Sequence, residues 1–137
     1  MRTALDTNIL SALWSGEPVS SRVSRALVEA RADGGLVVCA PVFVELMAHP
    51  AVTEHFVDGF LRDTGITVDF DIEEATWREA AKRFAAYAQR RRRSGGDSPK
   101  RLLVDFVIAA HALLHADRLM TLDAKRYSQD FPKLRIL

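Results

Sequence analysis

Residues 102–114, Leu-Leu-Val-Asp-Phe-Val-Ile-Ala-Ala-His-Ala-Leu-Leu, are apolar on nearly every face of a helix. A helix with no polar face has to be buried. The flanking pattern says by what. Short apolar runs at 2–5, 35–40, 66–70, 118–122 and 134–137 read as strands. Helical spacing fills the gaps: 18–32 (Val19, Val23, Leu27, Ala30) stopping at Gly34-Gly35, and 52–64 stopping at Gly65. A third helix follows Asp71, which with Glu74 forms a capping-box pattern ahead of Trp77, Ala81, Phe84 and Ala88. Ser98-Pro99 supplies a cap and first-turn proline for a helix over 99–116. Strands alternating with helices imply an α/β sandwich: a parallel sheet covered by helices on both faces.

At 137 residues the chain reads as one domain, 1–137, large enough to bury a core without disulfides. Its one cysteine, Cys39, lies in the apolar run Leu36–Ala40 and is expected to be a buried thiol, which suits a reducing compartment. No apolar stretch reaches the length of a membrane span and no signal-peptide core follows the first residues, so the expectation is a soluble, cytoplasmic protein.

The net charge of +1 hides an uneven distribution. Lys82 to Arg101 holds eight Lys or Arg against one Asp, and within it Arg90, Arg91, Arg92 and Arg93 open a low-complexity stretch to Ser98 that reads as a flexible insertion. Such a run neutralises phosphates without reading sequence; its plainer role is a solvated face.

The acids carry the chemistry. Asp6 directly follows the first strand and Asp123 directly follows the fourth, and in open α/β sheets functional groups gather at the carboxyl ends of strands. For Asp6 the alternative is a helix cap. Asp105 interrupts the apolar helix, where an ionised carboxylate costs roughly several kcal/mol unless compensated; an ion pair with Arg101, four residues back, is the alternative. Glu45, in Pro-Val-Phe-Val-Glu-Leu, sits in the first turns of a short helix, where an acid also suits the helix dipole. Four gathered carboxylates repel unless cations neutralise them, and oxygen-only ligands favour hard ions such as Mg²⁺ or Mn²⁺. That combination suits phosphodiester hydrolysis.

His111 and His115 have zinc-like spacing but no third soft ligand, and His111 points about 240° around the helix from Asp105; both read as structural. Tyr87 reads as packing beside Phe84, with base stacking the alternative. Asp63, Asp69, Asp117 and Asp130 read as solvated or capping acids.

In order along the chain, "ALDTNIL", "PVFVEL", "VDFVIAAHAL" and "LMTLDAKRY" resemble the PIN-domain ribonucleases, and among them the small VapC-type toxins of toxin–antitoxin pairs. The resemblance implies a three-layer α/β/α fold with a mostly parallel sheet of about five strands. It implies Mg²⁺- or Mn²⁺-dependent endoribonuclease activity, commonly on tRNA or ribosomal RNA. Asp6, Glu45, Asp105 and Asp123 fill the acidic quartet, with Asp6, Asp105 and Asp123 as metal ligands, and Thr7, Asn8 and Thr121 match its supporting polar residues. It further implies a homodimer held inactive by a VapB-type antitoxin. The basic insert at Arg90–Ser98 is longer than the family pattern leads one to expect. Two rival readings remain: a PIN-like module that binds RNA or protein without cutting, and an α/β phosphatase or receiver domain. The latter wants a second acid two residues after Asp6, where Asn8 stands.

Overall fold

The computed structural model describes residues 1–96 and 101–137. Strand β1 (Thr3–Leu5) leads through Asp6 into helix α1 (Thr7–Trp14), and α2 (Ser20–Gly34) returns the chain to β2 (Leu36–Cys39). Helices α3 (Ala40–Met47) and α4 (Glu54–Asp63) connect to β3 (Ile66–Asp69). Then α5 (Glu74–Arg93) and α6 (Leu103–His115) lead to β4 (Arg118–Met120), followed by the short α7 (Ala124–Ser128).

All strand pairs are parallel, in the order β3-β2-β1-β4. The steps β1 to β2 and β2 to β3 run the same way across the sheet, and β3 to β4 runs back. Right-handed crossovers therefore put α1–α4 on one face and α5 and α6 on the other. Packing agrees: α1 lies against α2 and α3, and α5 lies along α6. Every residue of β1 and β2 is buried, as two covered faces require. The α/β/α architecture is thus the one that the alternating pattern implies.

Helix α6 accounts for the opening sequence feature. Its residues Asp105–Ala112 are all buried, and the exposed leucines, Leu102, Leu103 and Leu114, are confined to its ends. The expected stops hold as well: Gly35 (φ 103°) and Gly65 (φ 70°) take left-handed backbone after α2 and at the end of α4.

Three local expectations need correction. The fifth strand shrinks to a single parallel bridge, Leu119 to Ile136. The reason is that Leu134 spends its N–H on the Phe131 carbonyl in a turn, which leaves only Arg135–Leu137 to reach β4. The Asp71–Glu74 capping box does not form: α5 begins at Glu74 with Glu73 in the cap position, and the Asp71 N–H instead bonds Asp69 Oδ1. Arg90–Arg93 are not in a loop but form the last turn of α5, where arginine is both a good helix former and favourable to the helix dipole. The Ser98-Pro99 cap lies outside the described residues. Among the described residues no helix is long and apolar enough to cross a membrane.

Candidate active site

The strand order defines where a site belongs. Neighbours β1 and β4 connect to helices on opposite faces, so a crevice opens between their carboxyl ends, the usual ligand position in open α/β sheets. Asp6 and Thr121 stand on its two sides.

Asp6 caps α1 at the carboxyl end of β1. Its backbone N–H extends the ladder to the Met120 carbonyl (3.0 Å), and its side chain then turns to cap α1, Oδ1 accepting from the Thr7 N–H (2.8 Å). The other oxygen, Oδ2, accepts from the Thr121 hydroxyl (2.8 Å) and the Tyr127 phenol (2.8 Å). The carboxylate is buried, and these three donors fix its orientation.

Thr121 is the hub. Its Oγ1 donates to Asp6 and accepts from Asn8 Nδ2 (3.3 Å) and from the Asp123 N–H (3.1 Å). Asn8 Oδ1 in turn accepts from the Leu122 N–H (3.1 Å), tying the start of α1 to the segment after β4. On the other side Thr7 Oγ1 donates to Glu45 Oε1 (2.5 Å), which carries the network to α3. Thr7, Asn8 and Thr121 thus hold together elements up to 115 residues apart in sequence.

Asp105, in the first turn of α6, is 6 % exposed and within electrostatic reach of Asp6. Burial pushes its carboxyl above the ordinary carboxylate value; Arg126 and Arg101 pull it back, and Asp6 adds to the rise. Its ion pair is not with Arg101, as the four-residue spacing allowed, but with Arg126: Nη1 stands 3.5 Å from Asp105 Oδ1. The same guanidinium reaches Asp123, with Nε 3.2 Å from Oδ2. Arg101 is drawn away because Asp130 offers a tighter contact (2.5 Å) and the ring of Phe106 lies under its guanidinium at 4.6 Å.

Tyr127 and Arg126 escaped the sequence reading. Arg126 carries a weak signal, its i,i+3 spacing from Asp123 on a short helix. Nothing in the sequence sets Tyr127 apart from an ordinary core aromatic. Burial comes first among the causes that raise its hydroxyl far above the ordinary phenol value, with Asp6 next, so it remains a donor.

The donors fit a hard divalent ion in kind. They are all oxygens, and among the described residues the cation in ion-pair contact with the buried Asp105 carboxylate is Arg126, at 3.5 Å. Among the described residues no three His, Cys, Asp or Glu side chains stand close enough to cage an ion. Mg²⁺ does not ask for a cage: it commonly takes one or two carboxylates, keeps several waters and shares substrate phosphates. Beside the acids Ile9, Val23, Met120, Leu122 and Leu137 line an apolar groove of about 340 Å³ with Thr121 among its walls.

The remaining polar residues have structural partners. Asp130 is buried between Arg90 and Arg101 and is not the solvated or capping acid that its place at the end of an element suggested. Arg90 is therefore engaged, Arg91 is half-buried beneath Gly96, and Arg92 and Arg93 face solvent. His111 bonds Asp69 (2.9 Å), and His115 bonds Glu73 (2.8 Å) and Thr76 (3.0 Å), so both histidines are structural. Tyr87 packs on Phe84 and Phe106, and its oxygen accepts the Arg101 N–H. Burial raises the Cys39 thiol to about 11, which makes it unreactive at neutral pH.

A parallel α/β/α sheet with the buried, triply bonded Asp6 at its switch point is the setting in which the sequence comparisons fall. Residues 3–132 match the PIN domain, and the chain belongs to that family. Among solved structures it is similar to VapBC-1 from nontypeable Haemophilus influenzae, with TM-score 0.64 and 23 % identity over 100 % of this chain and 97 % of the other. It is likewise similar to VapBC2 from Rickettsia felis bound to a DNA fragment from their promoter, with TM-score 0.61 and 19 % identity over 100 % and 98 %. No curated protein matches the chain significantly.

Proposed function

We propose that the chain is a VapC-type toxin: a Mg²⁺- or Mn²⁺-dependent endoribonuclease whose active site is the cluster of Asp6, Glu45, Asp105 and Asp123. The observation that carries this reading is Asp6 at the switch point, buried and oriented by three donors from both ends of the chain. Membership of the PIN family and the likeness to the two VapBC structures support it.

In this reading Asp6, Asp105 and Asp123 hold the metal. A bound divalent ion would lower the pKa of the attacking water and offset the charge of the scissile phosphate. Thr7 and Thr121 keep the carboxylates of Glu45 and Asp6 aimed, so little rearrangement is needed when charge develops. Glu45, half-exposed and bonded among the described residues through Oε1, leaves its other oxygen to orient water. The products would be a 3′-hydroxyl and a 5′-phosphate. Single-stranded or loop RNA, as in tRNA or ribosomal RNA, fits best, since its bases are already unstacked. The partner would be a VapB-type antitoxin, and the functional unit a homodimer in the cytoplasm.

The test is to incubate total cellular RNA with purified protein in Mg²⁺, in Mn²⁺ and in EDTA, alongside Asp6→Asn and Asp105→Asn, and to map the 5′ ends. Discrete metal-dependent cuts lost in both variants are expected. Binding of RNA without cleavage would replace this reading with that of a non-catalytic RNA-binding module.

A further inference from the structure

The chain supplies a cation of its own to the acids. Arg126 reaches Asp105 through Nη1 and Asp123 through Nε, two of the three residues proposed above as metal ligands. Its contacts, 3.5 Å and 3.2 Å, are longer than the 2.7–2.9 Å typical of charge-assisted bonds. Arg101 provides the contrast: 2.5 Å from Asp130, 16 % exposed and stacked on Phe106. Arg126 is 41 % exposed, on a helix of five residues, with nothing stacked against its guanidinium among the described contacts. One arginine is clamped by a close ion pair and a ring, and the other is held by two longer ion pairs at the surface.

We propose that Arg126 is an internal counter-ion that neutralises Asp105 and Asp123 until a divalent ion displaces it. The inference rests on the metal-site reading. A guanidinium and a divalent ion drawing on the same two carboxylates repel each other, so one must leave as the other enters. The arginine thereby sets the metal concentration at which the site fills, and it keeps two acids from repelling each other while the site is empty. Asp105, which is buried where Asp123 is not, is the carboxylate that depends most on this compensation.

The experiment titrates Mn²⁺ into the full chain, following free Mn²⁺ by electron paramagnetic resonance, for the wild type, Arg126→Ala, Arg126→Lys and Asp105→Asn. Removing the competitor should tighten Mn²⁺ binding about twofold to fivefold in Arg126→Ala, in line with a partly exposed ion pair. Arg126→Lys should fall between, and Asp105→Asn should lose binding. In parallel, the Arg126 Nε–H resonance, assigned by its absence from Arg126→Lys, should move toward the position of a free arginine as Mg²⁺ is added. This second readout needs no variant to fold for the measurement on the wild type. Equal or weaker Mn²⁺ binding in Arg126→Ala, or an unmoved resonance in protein that binds Mg²⁺, would overturn the counter-ion role and leave the metal site standing. Absence of binding in the wild type would sink both.

Discussion

Tyr127 donates its hydroxyl to Asp6 Oδ2 at 2.8 Å, joining residues 121 positions apart in a bond buried from solvent. The phenol is 0 % exposed, so Asp6 is propped from within the core. Replacing Tyr127 by Phe removes one donor from a buried carboxylate and leaves the ring in place. A loss of about 1.5–3 kcal/mol in urea unfolding is expected, the usual value of a hydrogen bond to a charged group. RNA cleavage per folded molecule should fall as well, since Asp6 loses one of its three orienting donors. Unchanged stability and rate would show the bond to be incidental.

Asp130 offers a second test, in which stability and chemistry separate. It is buried between two arginines, and deleting one member of a buried ion pair typically costs about 3–5 kcal/mol. Asp130→Ala should lose stability on that scale in thermal or urea melts, with Arg101 left unpaired against Phe106. Metal affinity should stay at the wild-type value wherever the variant remains folded. A loss below about 1 kcal/mol would place this pair with ordinary surface pairs.

For nucleic acid the informative arginines are Arg92 and Arg93, which face solvent, rather than Arg90, which is committed to Asp130. The double change Arg92→Ala with Arg93→Ala should weaken binding of single-stranded RNA and reduce the slope of log affinity against log salt by about 1.4, at roughly 0.7 per phosphate contact. Thermal stability should be unaffected. An unaltered slope would return this helical turn to the role of a solvated face.

His111 makes the fold sensitive to acid. Burial holds its imidazole below the ordinary value of 6.5, and the Asp69 bond only partly restores it. Because the unfolded chain takes up the proton more readily, stability is full above pH 6.5 and falls as pH drops from there through the folded value. Asp69 is pulled below 3.8: burial acts to raise it, but the bond and charge of His111 outweigh that, so its own contribution is lost only at still lower pH. Melting temperatures measured from pH 7.5 down to pH 4 should therefore decline from about 6.5 onward. Such a decline should be much reduced in a His111→Gln variant, and a wild-type curve flat to pH 5 would contradict the assignment.

The parallel sheet, the buried α6 and the places of the four acids on their elements were legible in the sequence, because each follows from a short-range pattern: an apolar run that ends on a carboxylate, or an acid with apolar neighbours. What escaped was nonlocal. Arg101 is four residues from Asp105 and would pair with it on an isolated helix, yet it turns to Asp130, brought in by the chain's return past the sheet. Arg90 likewise looked like one of four equivalent arginines until the same acid singled it out. Tyr127 looks like any core aromatic until β1 and β4 are set side by side. The short-lived fifth strand and the missing capping box fail for a simpler reason, since one hydrogen bond in a turn is enough to shift an element's edge by two or three residues.

The hub at Thr121 has a bearing on timing. The acidic centre takes Asp6 from the end of the first strand but two of its three donors from Thr121, just past β4, and Tyr127, in α7. During synthesis, at about 5–20 residues per second, Asp6 exists for several seconds before those two donors have been made. The first strand cannot complete the site alone, and neither can any fragment that ends before residue 127. Whatever this centre does, a half-made chain cannot do it.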